Sequence, residues 1–422
     1  MKVFKFGGAS VNNVERIQNI PNILQQYKNE NLVIIISAMG KTTNALEKVA
    51  EAFYNNNQTT ALELFNIVKH QHLNTTKYLL LTNYNACIAQ LNDFFTEIEW
   101  LLHDKPIKEF DYYYDQIVCI GELLSTAIIS HYLNEVNITN TWLDVRDIIK
   151  TDNNFRDANV DWKQTTERTK TINNKIQTAE KPTIFLTQGF IGCTDENEST
   201  TLGREGSDYT ASIFANLLNA ENLTIWKDVE GVMNADPKEF SDATLINELN
   251  FNEVIEMAYY GAQVIHPKTI KPLQNKNIPL HVKCFLNSSL PGTIIHNKQI
   301  KKLPPITVIK KNQTLIHLSS IDFSFVGEQP MAILYNNFNE LKLKPNLIQT
   351  GAINVQVCID DKNEKIEKLA FAINHLFEIQ VEKDLTLLTI RHYNQTQLQQ
   401  LIEGKEIVLI QQTKTTIQIL YK

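Results

Sequence analysis

The chain predicts an α/β fold with a mainly parallel central sheet, followed by smaller α+β modules. Short apolar runs end in glycine or small-residue turns and lead into stretches of helical period, the alternation that builds parallel sheets. After about Gly292 the texture changes to short alternating strands with helices between them. With 422 residues and 43% hydrophobic content there is enough apolar material for two or three cores.

In chain order, residues 2–6 read as a strand ending in Gly7-Gly8, and a helical pattern runs from about Asn12 to Tyr27. Leu32–Ser37 is a continuous apolar strand ending in Ala38-Met39-Gly40-Lys41-Thr42. A long helical region covers roughly 44–135, with an unpatterned patch near 104–114. Strands follow at Thr141–Val145, Pro182–Gln188 and Leu223–Trp226. Ligands of such sheets sit beyond the carboxyl ends of the strands, so the turns after Phe6, Ser37 and Gly189 are candidates for one shared site. Lys298–Lys302 and Pro304-Pro305 mark a linker. Beyond it, strands are expected at Thr314–Ser319, Ile353–Ile359, Thr386–Ile390, Glu406–Gln412 and Thr415–Leu420.

Composition excludes several classes. A net charge of −7 with no dominant basic face argues against nucleic acid or acidic lipid as partner. Five scattered cysteines, none in C-x-x-C spacing, read as reduced thiols, and the start carries no apolar run of secretion-signal length. The most apolar run, Leu32–Ile36, is too short to span a bilayer. A cytoplasmic protein with no membrane partner is the expectation. The histidines are dispersed, and no protein-held metal is expected.

The turn Thr200–Thr210 carries the densest chemistry: two glycines, Arg204, hydroxyls and Asp208, then a helix. Free N–H groups and the helix dipole suit an anion there, and the Arg204 fork grips a carboxylate or phosphate. The same turn also reads as a plain capped helix start, with Ser207 as N-cap and Asp208 in the first helical position. Gly40-Lys41-Thr42 imitates the end of a P-loop but lacks its first glycine, since position 35 is Ile35. Ser37, Lys41, Thr42 and Thr43 nonetheless form a strand-end turn able to bind an anion or cap a helix. Lys5 on a buried strand needs a partner, either structural or a phosphate. Glu122 after Gly121 is a helix N-terminal charge complement or a ligand group. The loop Trp226–Lys238 is a surface turn or a nucleotide cradle, with Asp228 and Lys238 as its polar groups.

Together these segments resemble the aspartate kinases of the amino-acid kinase superfamily. The resemblance rests on Lys5-Phe6-Gly7-Gly8 with Ser10, Ser37-Ala38-Met39 through Asn44, Gly121-Glu122, Leu143–Arg146 and Gln188–Gly192. It continues through the Arg204 turn to Tyr209, Trp226–Pro237 and Gly261-Ala262 to His266-Pro267. It implies an amino-acid kinase-like three-layer fold over 1–297 and ACT-like, ferredoxin-like regulatory modules over 298–422, the last one short. It also implies transfer of the γ-phosphoryl of ATP to the side-chain carboxylate of L-aspartate, first step toward lysine, threonine and methionine, with Mg²⁺ carried mainly on the phosphates. By resemblance, Lys5 stabilises the transferring group and Asp208 orients it. Arg204 takes the substrate α-carboxylate, Glu122 its ammonium, and Ser37, Thr43, Phe190 and Ser207 line its pocket. Gly7, Gly8, Lys227, Asp228, Met233, Lys238, Gln263 and Lys268 belong to the nucleotide. Alternatives are another member of the superfamily, or a non-catalytic amino-acid sensor on the same fold.

The chain departs from the family pattern at several positions. Gln263 stands where a lysine is common, at a cost of roughly 1–3 kcal/mol if nothing replaces the charge, and Lys268 is the nearest substitute. Glu205 occupies a usual glycine position, Ala9 a common threonine and Met233 a common tyrosine. Asn346–Ala352 lacks the acid that lysine-sensitive relatives use, so an amino-acid effector would need another partner. ACT modules pair across chains, so a homodimer or higher homo-oligomer is expected.

Overall fold

The computed structural model describes residues 1–262 and 264–422. Gln263, an expected nucleotide contact, lies outside the described residues. Two compact units emerge. The first comprises Met1–Val232, Leu245–Ile255 and Val264–Ile300; the second holds Met233–Thr244, Lys301–Lys422 and a short segment starting at Glu256.

The first unit is built on strands β1 (Lys2–Phe6), β2 (Leu32–Ile36), β3 (Thr141–Leu143), β4 (Ile184–Gln188), β5 (Ile191–Cys193), β6 (Ser199–Thr201), β7 (Leu223–Lys227), β8 (Glu248–Asn250), β9 (Leu280–Cys284) and β10 (Thr293–His296). Eight of them form one sheet in the order β3-β4-β2-β1-β7-β9-β10-β8, and only the β9–β10 pairing is antiparallel. Such a sheet buries both faces, hence the unbroken run Leu-Val-Ile-Ile-Ile in β2. β5 and β6 form a separate hairpin. The helices along the chain begin with α1 (Val14–Leu24), α2 (Thr42–Tyr54), α3 (Gln58–Leu79), α4 (Tyr84–His103), α5 (Phe110–Val118), α6 (Ile120–Glu135) and α7 (Trp162–Thr178). They continue with α8 (Gly206–Leu217), α9 (Phe251–Tyr259) and α10 (Pro267–Lys276). α6 and α8 pack on the central strands.

Register places the site. Phe6 on β1 is level with Ile36 on β2 and Trp226 on β7, and Ile36 is level with Gln188 on β4. Four strand ends therefore open onto one edge. Among the described residues one apolar helical stretch, Phe110–Glu135, is long enough to cross a membrane by length and composition. Its most apolar window is 89% buried inside the protein, as a core helix would be.

The second unit holds a six-stranded antiparallel sheet in the order β12 (Pro345–Thr350), β13 (Asn354–Asp360), β11 (Ile306–Ser320), β14 (Phe377–Arg391), β16 (Thr416–Tyr421) and β15 (Ile407–Gln412). β11 and β14 are 15 residues each and pair from end to end, interrupted near Lys310–Gln313. One half of this sheet forms a core with Leu334 and Phe338 of α11 (Glu328–Glu340) and Leu369 of α12 (Asn363–Ile373). The other half encloses Leu388, Ile390, Ile417 and Ile419 with Leu398 of α13 (Gln395–Ile402). All five cysteines are free and buried, and burial pushes the thiols of Cys87, Cys119 and Cys358 up to about 12.

Candidate active site

The strand ends open into a cleft of about 440 Å³ whose wall includes Lys5, Gly8, Ser37, Glu122, Phe190 and Arg204. The three turns after Phe6, Ser37 and Gly189 thus meet, as their positions in the sequence imply. The first two are tied directly, the Gly40 N–H donating to the Gly8 carbonyl (3.0 Å). A side chain at residue 8 would put its Cβ 2.8 Å from the Ala38 carbonyl oxygen, so only glycine permits this approach. Gly189 serves the third turn in the same way: a Cβ there would lie 2.5 Å from Cβ of Ser207. The start of α8 is therefore pressed onto the end of β4.

The helix start differs from the sequence expectation. α8 begins at Gly206 with Glu205 as N-cap, so Ser207 is not the cap and Asp208 is the third helical residue rather than the first. The Gly203 carbonyl accepts from the Gly206 N–H, and the Glu205 carbonyl from Asp208 and Tyr209. Backbone oxygens already satisfy these amides, which leaves the Ser207 hydroxyl no capping role. Ser207 instead lines the cleft, as do Ser37 and Thr43.

Lys5 and Asp208 form the charged floor. The Lys5 ammonium lies 2.7 Å from Asp208 Oδ1, and both side chains are nearly buried. Burial pushes the Asp208 carboxyl up, but Lys5 and then Lys227 outweigh it and hold the group below its ordinary value. Asp208 therefore stays ionised and keeps Lys5 aimed at the cleft. Gly7 sits against the Lys5 ammonium.

Glu122 and Arg204 provide the opposite charges. Glu122 is buried in the first turn of α6, and Oε1 accepts the Ala38 N–H (3.3 Å). Its other oxygen, Oε2, is buried with no hydrogen-bond partner among the described residues. Desolvation dominates there, and the carboxyl is pushed up to about 8 despite the Ala38 N–H and Lys5. Arg204 is exposed on the cleft wall and makes no ion pair or hydrogen bond among the described residues. A buried, mostly protonated carboxyl and a free guanidinium thus face one space.

Three cleft residues hold left-handed backbone without being glycine: Phe190 (φ +70°), Arg156 (φ +68°) and Glu205 (φ +54°). Such strain persists only where surroundings enforce it. The Phe190 N–H donates to Thr210 Oγ1 (3.0 Å) and the Arg156 N–H to Asp115 Oδ2 (3.0 Å). Glu205 Oε2 accepts from the His266 N–H (2.9 Å), tying the start of α8 to that of α10. The left-handed turn explains why glycine suits position 205.

The expected nucleotide residues are less gathered. Lys227 donates to the Val264 carbonyl (2.7 Å) while contributing its charge to Asp208. Asp228 is exposed on the loop after β7. Met233 and Lys238 fall in the second unit, Lys238 exposed. The Lys268 ammonium is engaged by the Asp157 carboxylate and by the Leu202 carbonyl (3.2 Å), which gives it protein partners where a phosphate was expected. Among the described residues no three His, Cys, Asp or Glu side chains gather as metal ligands.

Sequence reading missed Arg156 and Tyr114 on the cleft wall, and Asp115 behind them, while Thr201 belongs to the turn it had singled out. Asp115 is fully buried and accepts from the Arg156 N–H, the Thr201 N–H (2.8 Å) and the Thr201 hydroxyl (2.7 Å). Its carboxyl is pushed up to about 6 by burial, against those three donors. The one available clue was an acid on the apolar side of α5, among Tyr113, Tyr114, Ile117 and Val118.

Comparison with known proteins follows the same lines. A model described as the amino acid kinase family matches residues 1–284. Aspartokinase 1, chloroplastic, of Arabidopsis thaliana is 32% identical over 374 residues, covering 85% of this chain and 63% of that protein. The chain therefore spans less than two thirds of that relative's length. Aspartokinase 2, chloroplastic, of the same plant is 30% identical, covering 89% of this chain and 69% of the relative. The crystal structure of E. coli aspartokinase III in complex with aspartate and ADP (R-state) matches with a TM-score of 0.81 at 26% identity, covering 100% of this chain and 96% of that one.

Proposed function

The chain belongs to the amino acid kinase family, on its aspartokinase branch, and from that premise we propose that it transfers the γ-phosphoryl group of ATP to the side-chain carboxylate of L-aspartate. One observation carries the reading. The partnerless buried oxygen of Glu122 and the free guanidinium of Arg204 share a cleft with the Lys5–Asp208 pair. Glu122 and Arg204 complement the ammonium and α-carboxylate of an amino acid. Lys5 remains for the reacting end.

The chemistry requires little more. The substrate's side-chain carboxylate is already ionised near pH 7 and needs no general base. The barrier lies in bringing it against a phosphate, and fixed positive charge with alignment lowers that barrier. Lys5, held by Asp208, places its ammonium where charge builds on the transferring group. Ser37, Thr43, Phe190 and Ser207 shape the acceptor pocket, and Gly7 and Gly8 let backbone approach the phosphates. Lys227, Asp228, Met233, Lys238 and Gln263 are assigned to the nucleotide, and Mg²⁺ enters with ATP as part of that substrate. A coupled ADP-release assay with ATP, Mg²⁺ and L-aspartate tests this; no aspartate-dependent turnover refutes it.

We assign the second unit to regulation by a small amino acid, and expect a cytoplasmic homodimer or higher homo-oligomer. Light scattering and calorimetric titration with lysine, threonine and methionine examine these two points.

A further inference from the structure

One charged wall residue, Arg156, has no part in that scheme. Arg156 lines the cleft, yet its side chain is only loosely held. Its Nη1 lies 3.2 Å from Asp111 Oδ1 and its Nη2 3.5 Å from Glu47 Oε1, with 41% of the side chain exposed. The guanidinium lies 4.3 Å from the ring centre of Tyr114, which lines the same cleft. Partly exposed ion pairs of this kind exchange readily for a better-aligned anion. Its backbone is strained at φ +68° and clamped by the buried Asp115. An enforced outlier on a cleft wall is where strain is kept for a purpose.

Its surroundings place Arg156 at the acceptor end. Glu47 lies one turn beyond Thr43 on α2, and Asp111 and Tyr114 lie on α5, which leads into the helix of Glu122. The loop also abuts the Arg204 turn. A Cβ on Gly203 would lie 3.4 Å from the Arg156 carbonyl oxygen and 2.4 Å from Asp157 Oδ1. Lys5 instead belongs to β1, Gly7 follows that strand and Lys227 ends β7.

We propose that Arg156 is a second substrate-binding guanidinium, leaving Glu47 and Asp111 to close with Arg204 on the α-carboxylate of the bound amino diacid. This rests on the reading of the cleft as an aspartate site. Glu47 and Asp111 then balance the Arg156 charge until the substrate carboxylate replaces them. Planar bidentate contact is what arginine supplies and lysine does not.

Arg156→Gly is the informative variant, because glycine accepts the left-handed backbone and preserves the loop. Arg156→Lys keeps charge without the fork. The expected result for Arg156→Gly is a rise of about tenfold or more in KM for L-aspartate, equivalent to about 1.4 kcal/mol. Its kcat stays within about threefold and KM for ATP is unchanged, while Arg156→Lys recovers part of the loss. The double variant Glu47→Gln, Asp111→Asn frees the guanidinium and lowers KM for aspartate. An Arg156→Gly enzyme with KM for aspartate within twofold of wild type overturns the proposal. So does a rise confined to KM for ATP. If the wild type shows no turnover with aspartate, the proposed activity falls. Calorimetric titration of L-aspartate into wild type and Arg156→Gly then decides separately, and equal or absent binding overturns the role of Arg156.

Discussion

On the proposed function, Glu122 is expected to make aspartate binding a proton-linked event. Its carboxyl is pushed up to about 8 by burial, with the Ala38 N–H and Lys5 too weak to offset desolvation. A group titrating there is ionised in about a hundredth of molecules at pH 6, about a tenth at pH 7 and about half at pH 8. Only the carboxylate attracts the substrate ammonium, so apparent affinity scales with that fraction. Between pH 6 and pH 8 the dissociation constant for L-aspartate is expected to fall about fiftyfold. At pH 7 each binding event releases about 0.9 proton, since the bound ammonium forces ionisation. Isothermal titration calorimetry in buffers of differing ionisation enthalpy measures both quantities. Glu122→Gln abolishes the proton release, flattens the profile and binds weakly throughout. Parallel profiles for wild type and Glu122→Gln over pH 6–8, or no proton release by the wild type, refute the reasoning.

The same shift carries a stability prediction. The folded-state value lies above the ordinary 4.5, so the fold favours the neutral acid, with its contribution full below about 4.5 and lost as pH rises through about 8. Without ligand, Glu122→Gln should match wild type at pH 5 and exceed it by pH 9, by on the order of 3–5 kcal/mol as an upper bound, read by thermal melts. Lys5→Met should lower kcat at least about a thousandfold and, by stranding buried Asp208, destabilise by about 3–5 kcal/mol. Adding Asp208→Asn should restore the melting temperature without restoring turnover. Arg204→Ala should raise KM for aspartate about 10- to 150-fold, the worth of one or two charge-assisted hydrogen bonds. Lys268→Ala should change KM for ATP less than about threefold and stability by at most about 1 kcal/mol, because its pair with exposed Asp157 is a surface one. A larger rise in KM for ATP would return Lys268 to the phosphates.

What the sequence made legible follows a physical line. β2 is an unbroken apolar run and β1, β4 and β7 are mostly apolar because both faces of a parallel sheet are buried, and the turns that follow these strands point to the site by topology alone. The β5–β6 hairpin stayed hidden, since Ser199-Thr200-Thr201 is buried but polar and draws its partners from Asp115 and Gln116. β11 and β14 read as short because polar residues and the left-handed Asn312 and Asp384 interrupt them midway. Lys5, Glu122 and Arg204 stood out as charges beside glycine turns. Arg156 and Asp115 did not, because their pairing spans 41 residues and neither repeats a pattern. The Ser207 cap failed for a local reason: hydroxyl capping competes with backbone turns, and here the Glu205 carbonyl occupied the amides first.

The burial of every cysteine has a practical corollary. Thiol reagents act on thiolates, and Cys87, Cys119 and Cys358 carry almost none at neutral pH, while Cys193 is raised in the same direction by burial. The native chain is thus nearly silent to maleimide chemistry while folded. A single cysteine introduced at an exposed position such as Lys41, beside the Gly40 turn, would take up a fluorophore selectively without first stripping out the native five. Any labelling of the unmodified protein would then report unfolding, so the same reagent doubles as a probe of how often the core opens.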